Sequence, residues 1–261
     1  MADRTTIRYE SADGLATITL ARPDKRNAMN LEMFSELGDA AEDAAGDPEV
    51  RAVLVRGEGP SFCAGLDLSA LGGLAEIRGA RFRSFVRMAQ RPFAALARMP
   101  KPALAEVQGH ALGAGFQLAL ACDLRVASTN VRFGMLEARY GIIPDLGGTH
   151  HLARLVGAAR AKELVWTTRT VEAEEAERLG LANRVVELSA LSTEADRLLR
   201  EAMAHSPTAA GLSKALISRA AETPLEVEFE READAQSVCL DGEDHRESVA
   251  AFLEGRPARF G

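Results

Sequence analysis

Apolar and polar positions alternate over residues 7–10 and 15–20, the two-residue period of half-buried strands. Ala12-Asp13-Gly14 between them is a hairpin turn signal. The period then lengthens. Residues 28–45 read as a helix capped by Asn30 and stopped at Gly46. Residues 52–56 form a short apolar strand ended by Gly57. Residues 77–98 carry Phe82, Phe85, Val86, Ala89, Phe93 and Leu96 at helical spacing, and Pro92 should kink or split that helix. Residues 102–107 are strand-like and are followed by Gly109; 115–122 read as a helix and 124–127 as another strand. Strands alternating with helices predict an α/β layered fold. From about Leu188 the pattern becomes helical, over 190–204, 207–221, 224–238 and 242–253, with Pro207 and Pro224 as helix starts. The expected organisation is an α/β core over 1–188 and a helical region over 189–261, serving either as a lid on the core or as an oligomer contact.

Composition narrows the class. Hydrophobic residues at 47% and charged residues at 26% fit a soluble globular chain of 261 residues, long enough for one large domain. The net charge of −7 argues against a nucleic-acid partner, though it leaves room for a local basic patch. Cys63, Cys122 and Cys239 are few, odd in number and widely spaced, which fits a reducing compartment without a disulfide framework. The N-terminal residues hold no apolar signal segment, and no apolar run approaches the ~20 residues of a membrane span. A cytoplasmic location is expected.

Candidate chemistry concentrates in three segments. Walker, G-x-S-x-G, H-E-x-x-H and C-x-x-C motifs are absent, and the five histidines lack metal-ligand spacing; His150-His151 read as a solvated helix edge. Residues 61–68 (SFCAGLDL) and 109–117 (GHALGAGFQ) each follow a strand with small residues and a helix start. A helix start exposes backbone N–H groups without intrahelical partners, and small residues admit a ligand close to them. Two such starts facing each other would pair their donors into an oxyanion hole; taken singly, each could also be a close-packed turn. In the third segment, 133–149, Asp145 follows Pro144 and an apolar pair. It is either a desolvated general base or a cap for the Gly148 or Thr149 amide.

Together these segments resemble the crotonase superfamily, the enoyl-CoA hydratase/isomerase family. Residues 22–28 (RPDKRNA) look like that family's R-P-x-x-x-N-A loop, 173–186 like its A-x-x-A-x-x-x-G-L-V-x-x-V stretch, and 252–260 like its F-L-x-x-R-x-P-x-F close. The resemblance covers nearly the whole chain. It implies a spiral of β-β-α turns with a helical C-terminal region that builds homotrimers or homohexamers, and an acyl-CoA thioester ligand. It places the thioester oxygen on the backbone N–H groups of Leu66 and Ala114. It places the adenine and phosphate end near Lys25, Arg26, Ala28, Ala64 and Leu68. No metal, redox cofactor or membrane is implied; coenzyme A is part of the substrate.

Acid–base groups distinguish the family's reactions. Its hydratases typically use two glutamates, which map onto Glu137 and onto Gln117, where this chain departs from the pattern. An amide can hold water but does not exchange protons near neutral pH. The I-I-P-D-L-G-G-T context of Asp145 resembles the family's enoyl-CoA isomerases. The expectation is therefore that Asp145 moves a proton along an enoyl-CoA and shifts its double bond. Glu137 then assists or is a structural group partnered by Arg139, and Gln117 lines the pocket to orient the acyl chain. The alternatives are a hydratase using Glu137 with Gln117 holding water, and a non-catalytic acyl-CoA-binding subunit. The stretch 69–98 is expected to shape the acyl pocket.

Overall fold

The structure, a computed structural model, describes residues 4–67 and 78–260. Strands β1 (Ile7–Ala12) and β2 (Leu15–Leu20) form the expected antiparallel hairpin, and Asp13 and Gly14 take the positive φ values that a tight hairpin turn demands. The next strands are β3 (Ala52–Gly57), β4 (Ala103–Val107), β5 (His110–Leu112), β6 (Leu124–Ser128), β7 (Arg132–Gly134), β8 (Thr170–Glu172) and β9 (Arg184–Val186). The larger sheet runs β1-β2-β3-β4-β6-β9, parallel from β2 onward; the smaller runs β5-β7-β8.

The chain winds by alternating between the two sheets. β4 of the large sheet leads into β5 of the small one and then into helix α3 (Ala114–Ala121); β6 and β7 repeat the step. The two earlier turns enter the small sheet only as single bridges, Met29 with Leu66 and Cys63 with Ala111, before α1 (Leu31–Gly46) and α2 (Gly79–Arg98). This is the spiral of β-β-α turns that the resemblance implied.

Both faces of the large sheet are covered, which explains the near-continuous apolar runs of its parallel strands. Val53 and Val55 join the main core beneath α1 and α2, where Phe34 meets Phe93 with ring centroids 6.3 Å apart. Ala52, Leu54, Leu104 and Val126 face the other way, onto Leu191, Ala195 and Leu199 of α7 (Leu191–Met203). Helix α3 is buried along its whole length, as a sequence apolar but for Gln117 demands.

Several boundaries differ from the sequence reading. Helix α1 begins at Leu31 rather than residue 28, because Met29 is drawn into its bridge with Leu66; the Asn30 side chain still accepts from the Met33 N–H as the cap. Helix α2 continues through Pro92 as one element and is not split. The β5, β7, β8 and β9 strands are three residues long, too short to show a period.

Three helices follow β7 before the C-terminal region: α4 (Gly148–Val156), α5 (Ala158–Thr167) and α6 (Ala173–Arg178). In the C-terminal region, α7 is part of the sheet packing. Helix α8 (Pro207–Ile217) is also tied to the core: Lys214 Nζ reaches Asp123 Oδ2 at 2.7 Å and donates to the carbonyls of Leu96 and Lys101. The last two helices, α9 (Leu225–Asp241) and α10 (Glu243–Glu254), leave large apolar side chains uncovered, Phe252 at 84% exposure among them.

Candidate active site

The site begins with two loops locked backbone to backbone. Phe62 N–H donates to Gln108 O, Cys63 N–H to His110 O, and Leu112 N–H to Cys63 O, at 2.8–3.0 Å. Glycine is required at the contact. A Cβ on Gly115 would lie 2.3 Å from Cys63 O, and one on Gly65, whose φ is +104°, would lie 2.8 Å from Leu112 O. A third loop straps the first from outside. Asn27 is buried; its Nδ2 lies 2.8–3.1 Å from the carbonyls of Glu58, Ser61 and Phe62, and its Oδ1 accepts from Arg22 N–H. The sequence reading carried Asn27 only as a motif letter; its structural work shows in these four bonds.

Among the described residues, this packing leaves two amides unused. Met29 pairs with Gly65 O and Asp67 N–H, the residues on either side of Leu66, so the Leu66 N–H stays out of the ladder. Ala114 is the first residue of α3, where an N–H has no intrahelical acceptor. Both residues line one cavity of about 140 Å³, together with Ala64, Gly65 and Gly113. Leu136, Tyr140 and Ile142 supply much of the wall, and Glu137 is its one carboxylate among the described residues.

Glu137 opens a single 3-10 turn, Glu137–Tyr140, and is only 7% exposed. Its Oε1 accepts from Gln117 Nε2 at 2.7 Å, while its Oε2 is buried and accepts no hydrogen bond among the described residues. Burial, reinforced by the negative charge of Asp145, pushes its carboxyl above the ordinary carboxylate range, and the Gln117 bond pulls the other way. Arg139, the expected partner of Glu137, instead binds the Thr168 hydroxyl and carbonyl, each at 2.8 Å.

Asp145 and Gln117 stand elsewhere than expected. Asp145 is half-buried and raised by desolvation, but it is not on the described wall of the cavity. Its backbone oxygen accepts from Gln90 Nε2 of α2 at 2.6 Å. Gln117 is 1% exposed and does not line the cavity; it lies behind Glu137, with its Oε1 accepting from Leu146 and Gly148 N–H groups at 2.9 and 3.0 Å. The structure therefore brings Leu66, Ala114, Ala64 and Glu137 to one cavity, with Gln117 bonded to Glu137 and Asp145 not among the described residues that line it.

Of the expected coenzyme A contacts, Lys25 and Arg26 are exposed beside this site, and Arg26 O accepts from Ala64 N–H at 2.9 Å. The Arg26 charge also reaches His110, whose pKa is lowered mainly by burial. Ala28 is half-buried on the same loop. Leu68 and residues 69–77 of the expected acyl-pocket stretch lie outside the described residues. His151 is not a solvated edge: half-buried burial and the neighbouring His150 lower its pKa to about 4, so its ring is neutral. Among the described residues no group of three or more potential ligands could hold a metal, and no helix is long and apolar enough to cross a membrane.

The profile of the enoyl-CoA hydratase/isomerase family matches residues 10–261. The chain belongs to that family. A short-chain-enoyl-CoA hydratase of Clostridium acetobutylicum is 37% identical over 248 residues, 95% of this chain and 94% of its own. A Streptomyces coelicolor A3(2) enoyl-CoA hydratase homologue of known structure superposes with a TM-score of 0.94 at 36% identity, covering 100% of this chain and 96% of its own. A Thermobifida fusca YX homologue crystallised in complex with acetoacetyl-CoA gives 0.84 at 37% identity, covering 90% of this chain and 95% of its own. This enoyl-CoA hydratase/isomerase family enzyme thus keeps the family's fold across its length, while carrying an amide, Gln117, in place of one expected acid.

Proposed function

We propose that the enzyme binds an unsaturated acyl-CoA with its thioester oxygen between the Leu66 and Ala114 N–H groups, and that Glu137 moves a proton on the acyl chain. The observation that carries this reading is the shared cavity, lined by Leu66, Ala114 and the buried Glu137, whose Oε2 accepts no hydrogen bond among the described residues. In the forward step Glu137 takes a proton from the carbon next to the carbonyl of a 3-enoyl-CoA. The C–H electron pair enters the thioester as an enolate, whose negative oxygen meets two preorganised donors. Protonated Glu137 then returns the proton two carbons further along, and the product is the 2-enoyl-CoA. One carboxylate suffices for this cycle, because the base of the first half is the acid of the second. In this reading Glu137 rather than Asp145 is the base, and Asp145 acts through its charge on Glu137.

Hydration is the second reading, favoured by the name of the Clostridium relative. It requires a group that holds and deprotonates water as well as one that protonates carbon. Gln117 does not serve as a base, and its oxygen is already taken by two N–H groups. For this reason isomerisation is placed first. Lys25 and Arg26, exposed at the strap loop, fit the phosphates of coenzyme A. The uncovered apolar faces of α9 and α10 support a homotrimer or homohexamer, and three free cysteines suit the cytoplasm.

The test is a direct comparison of two substrates. A 3-enoyl-CoA should be converted to the 2-enoyl isomer at least tenfold faster, in kcat/KM, than crotonyl-CoA is hydrated. A faster hydration would install the second reading, and binding of both thioesters without turnover would remove catalysis altogether.

A further inference from the structure

The amide of Gln117 has one possible orientation. Two backbone N–H groups, from Leu146 and Gly148, point at the same side-chain atom, and only the oxygen can accept them. The nitrogen must then face Glu137, where it donates at 2.7 Å. The side chain is 1% exposed, so water does not compete for either end. A carboxamide does not titrate, so this donor persists whichever charge state Glu137 holds during a turnover.

Around Glu137, burial and the Asp145 charge oppose the carboxylate, while its own backbone N–H and that of Leu136 favour it beside Gln117. From the loop ahead of α4, Asp145 adds a like charge. On the 3-10 turn itself, Arg139 is committed to Thr168. From the residues ahead of α3, Gly113 packs on the carboxylate without contributing a charge; a Cβ there would lie 3.4 Å from Oε1. Gln117, from α3, is the side-chain donor that favours the carboxylate.

We propose that Gln117 is a positioning residue: its carboxamide fixes the orientation of the Glu137 carboxylate, sustains its charged form, and ties it to the turn that starts α4 and carries Asp145. This deepens the proposed function and rests on the role of Glu137 given there. It replaces both earlier expectations for Gln117, a water holder and an acyl-chain contact, because both ends of the amide are engaged within the protein. A carboxylate in its place would still accept from Leu146 and Gly148, but would present an oxygen instead of an N–H to Glu137. The two acids would then titrate as a coupled pair, with the second proton lost only at higher pH.

Two variants disturb the same bond by different routes. Gln117→Glu removes the donor and keeps the volume. Gly148→Ala leaves Gln117 in the chain but places a Cβ 2.6 Å from its Oε1 and 2.8 Å from its Cδ, which displaces the carboxamide. The Glu137 carboxyl is followed by NMR on protein carrying carbon-13 glutamate, its signal assigned by its loss in Glu137→Gln, alongside the pH profile of kcat/KM on a 3-enoyl-CoA. Both variants should raise the Glu137 midpoint, Gln117→Glu by about one pH unit or more, and the acid limb of the profile should move by the same amount. A raised midpoint supports the role in Gly148→Ala, which adds no charge, whereas in Gln117→Glu the added carboxylate alone raises it. An unchanged midpoint in a folded variant overturns the positioning role, since a purely structural amide would leave the titration where it was. If the midpoint moves while no thioester is turned over even by the wild type, the proposed reaction fails and the positioning role stands.

Discussion

Glu137→Gln is expected to lower kcat on a 3-enoyl-CoA by ~10²–10⁴-fold, the usual contribution of a positioned acid–base group, and at the same time to raise the melting temperature at neutral pH. The loss follows from the place of Glu137 on the cavity wall, where an amide offers no proton exchange. The gain follows from linkage. Burial raises the Glu137 pKa in the folded state above its unfolded value, so the folded protein binds this proton more readily. The contribution of the group to stability is complete below the unfolded pKa and is lost as pH rises through the folded pKa. At neutral pH the charged, desolvated carboxylate is therefore a liability that the neutral isostere removes. The Gln117 bond survives the change, because the new side-chain oxygen can still accept from Nε2. In a domain of this size each kcal/mol relieved corresponds to roughly 2–4 °C in Tm. Scanning calorimetry across pH checks the sign: the advantage of the variant should shrink on acidification and vanish below the ordinary carboxylate range. A variant that is both inactive and less stable at pH 7 would mean that Glu137 is held by contacts a glutamine cannot make.

The second large effect concerns the amides. Gly65 holds a φ of +104°, and a Cβ there would press within 2.8 Å of the Leu112 carbonyl, one step from Gly113 and Ala114. Gly65→Ala should push the Leu66 loop away from the start of α3. Strain of this kind costs ~1–3 kcal/mol, which a folded protein can absorb. The oxyanion pair cannot absorb it: loss of a single donor costs ~10²–10³ in kcat. The expected result is a folded protein whose kcat falls by about that factor while affinity for coenzyme A itself, proposed to be held at the strap loop, changes little. Gly46→Ala is the control, since a Cβ at the end of α1 meets nothing within 4 Å. Steady-state kinetics of the two variants beside a coenzyme A titration separates a damaged oxyanion pair from a general loss of structure. Equal losses in both variants would contradict the assignment.

Much of this architecture was legible in the chain because its local signals agree with its tertiary demands. Asp13-Gly14 announces the hairpin, Asn30 caps α1, and the glycines at 65 and 115 stand where two backbones must touch. The three-residue strands were not legible, since a two-residue period needs more length than they offer. The break in α1 at Leu31 depends on a bridge from Met29 to Leu66, a partner 37 positions away in the chain and invisible to local pattern. Which of Glu137 and Asp145 lines the cavity was hidden for a related reason. Both sit in segments without periodicity, so nothing in their spacing says which carboxyl faces the cavity. That is decided by the 3-10 turn at Glu137–Tyr140 and by the backbone bond from Gln90 to Asp145. Gln117 reads as a departure from a motif; only its three hydrogen bonds show that it is engaged at both ends.

The central claim is that Glu137 removes a proton from the carbon beside a carbonyl whose oxygen is held by Leu66 and Ala114. Its most direct test is the exchange of the carbon-2 protons of butyryl-CoA with solvent in deuterium oxide, followed by proton NMR with wild-type enzyme, Glu137→Gln and Asp145→Asn. Butyryl-CoA has no double bond to move or hydrate, so exchange reports enolate formation alone. The account predicts deuterium at carbon 2 with the wild type, reduced but present exchange with Asp145→Asn, and none above background with Glu137→Gln. Exchange that persists in Glu137→Gln and disappears in Asp145→Asn would contradict it and return the base to Asp145.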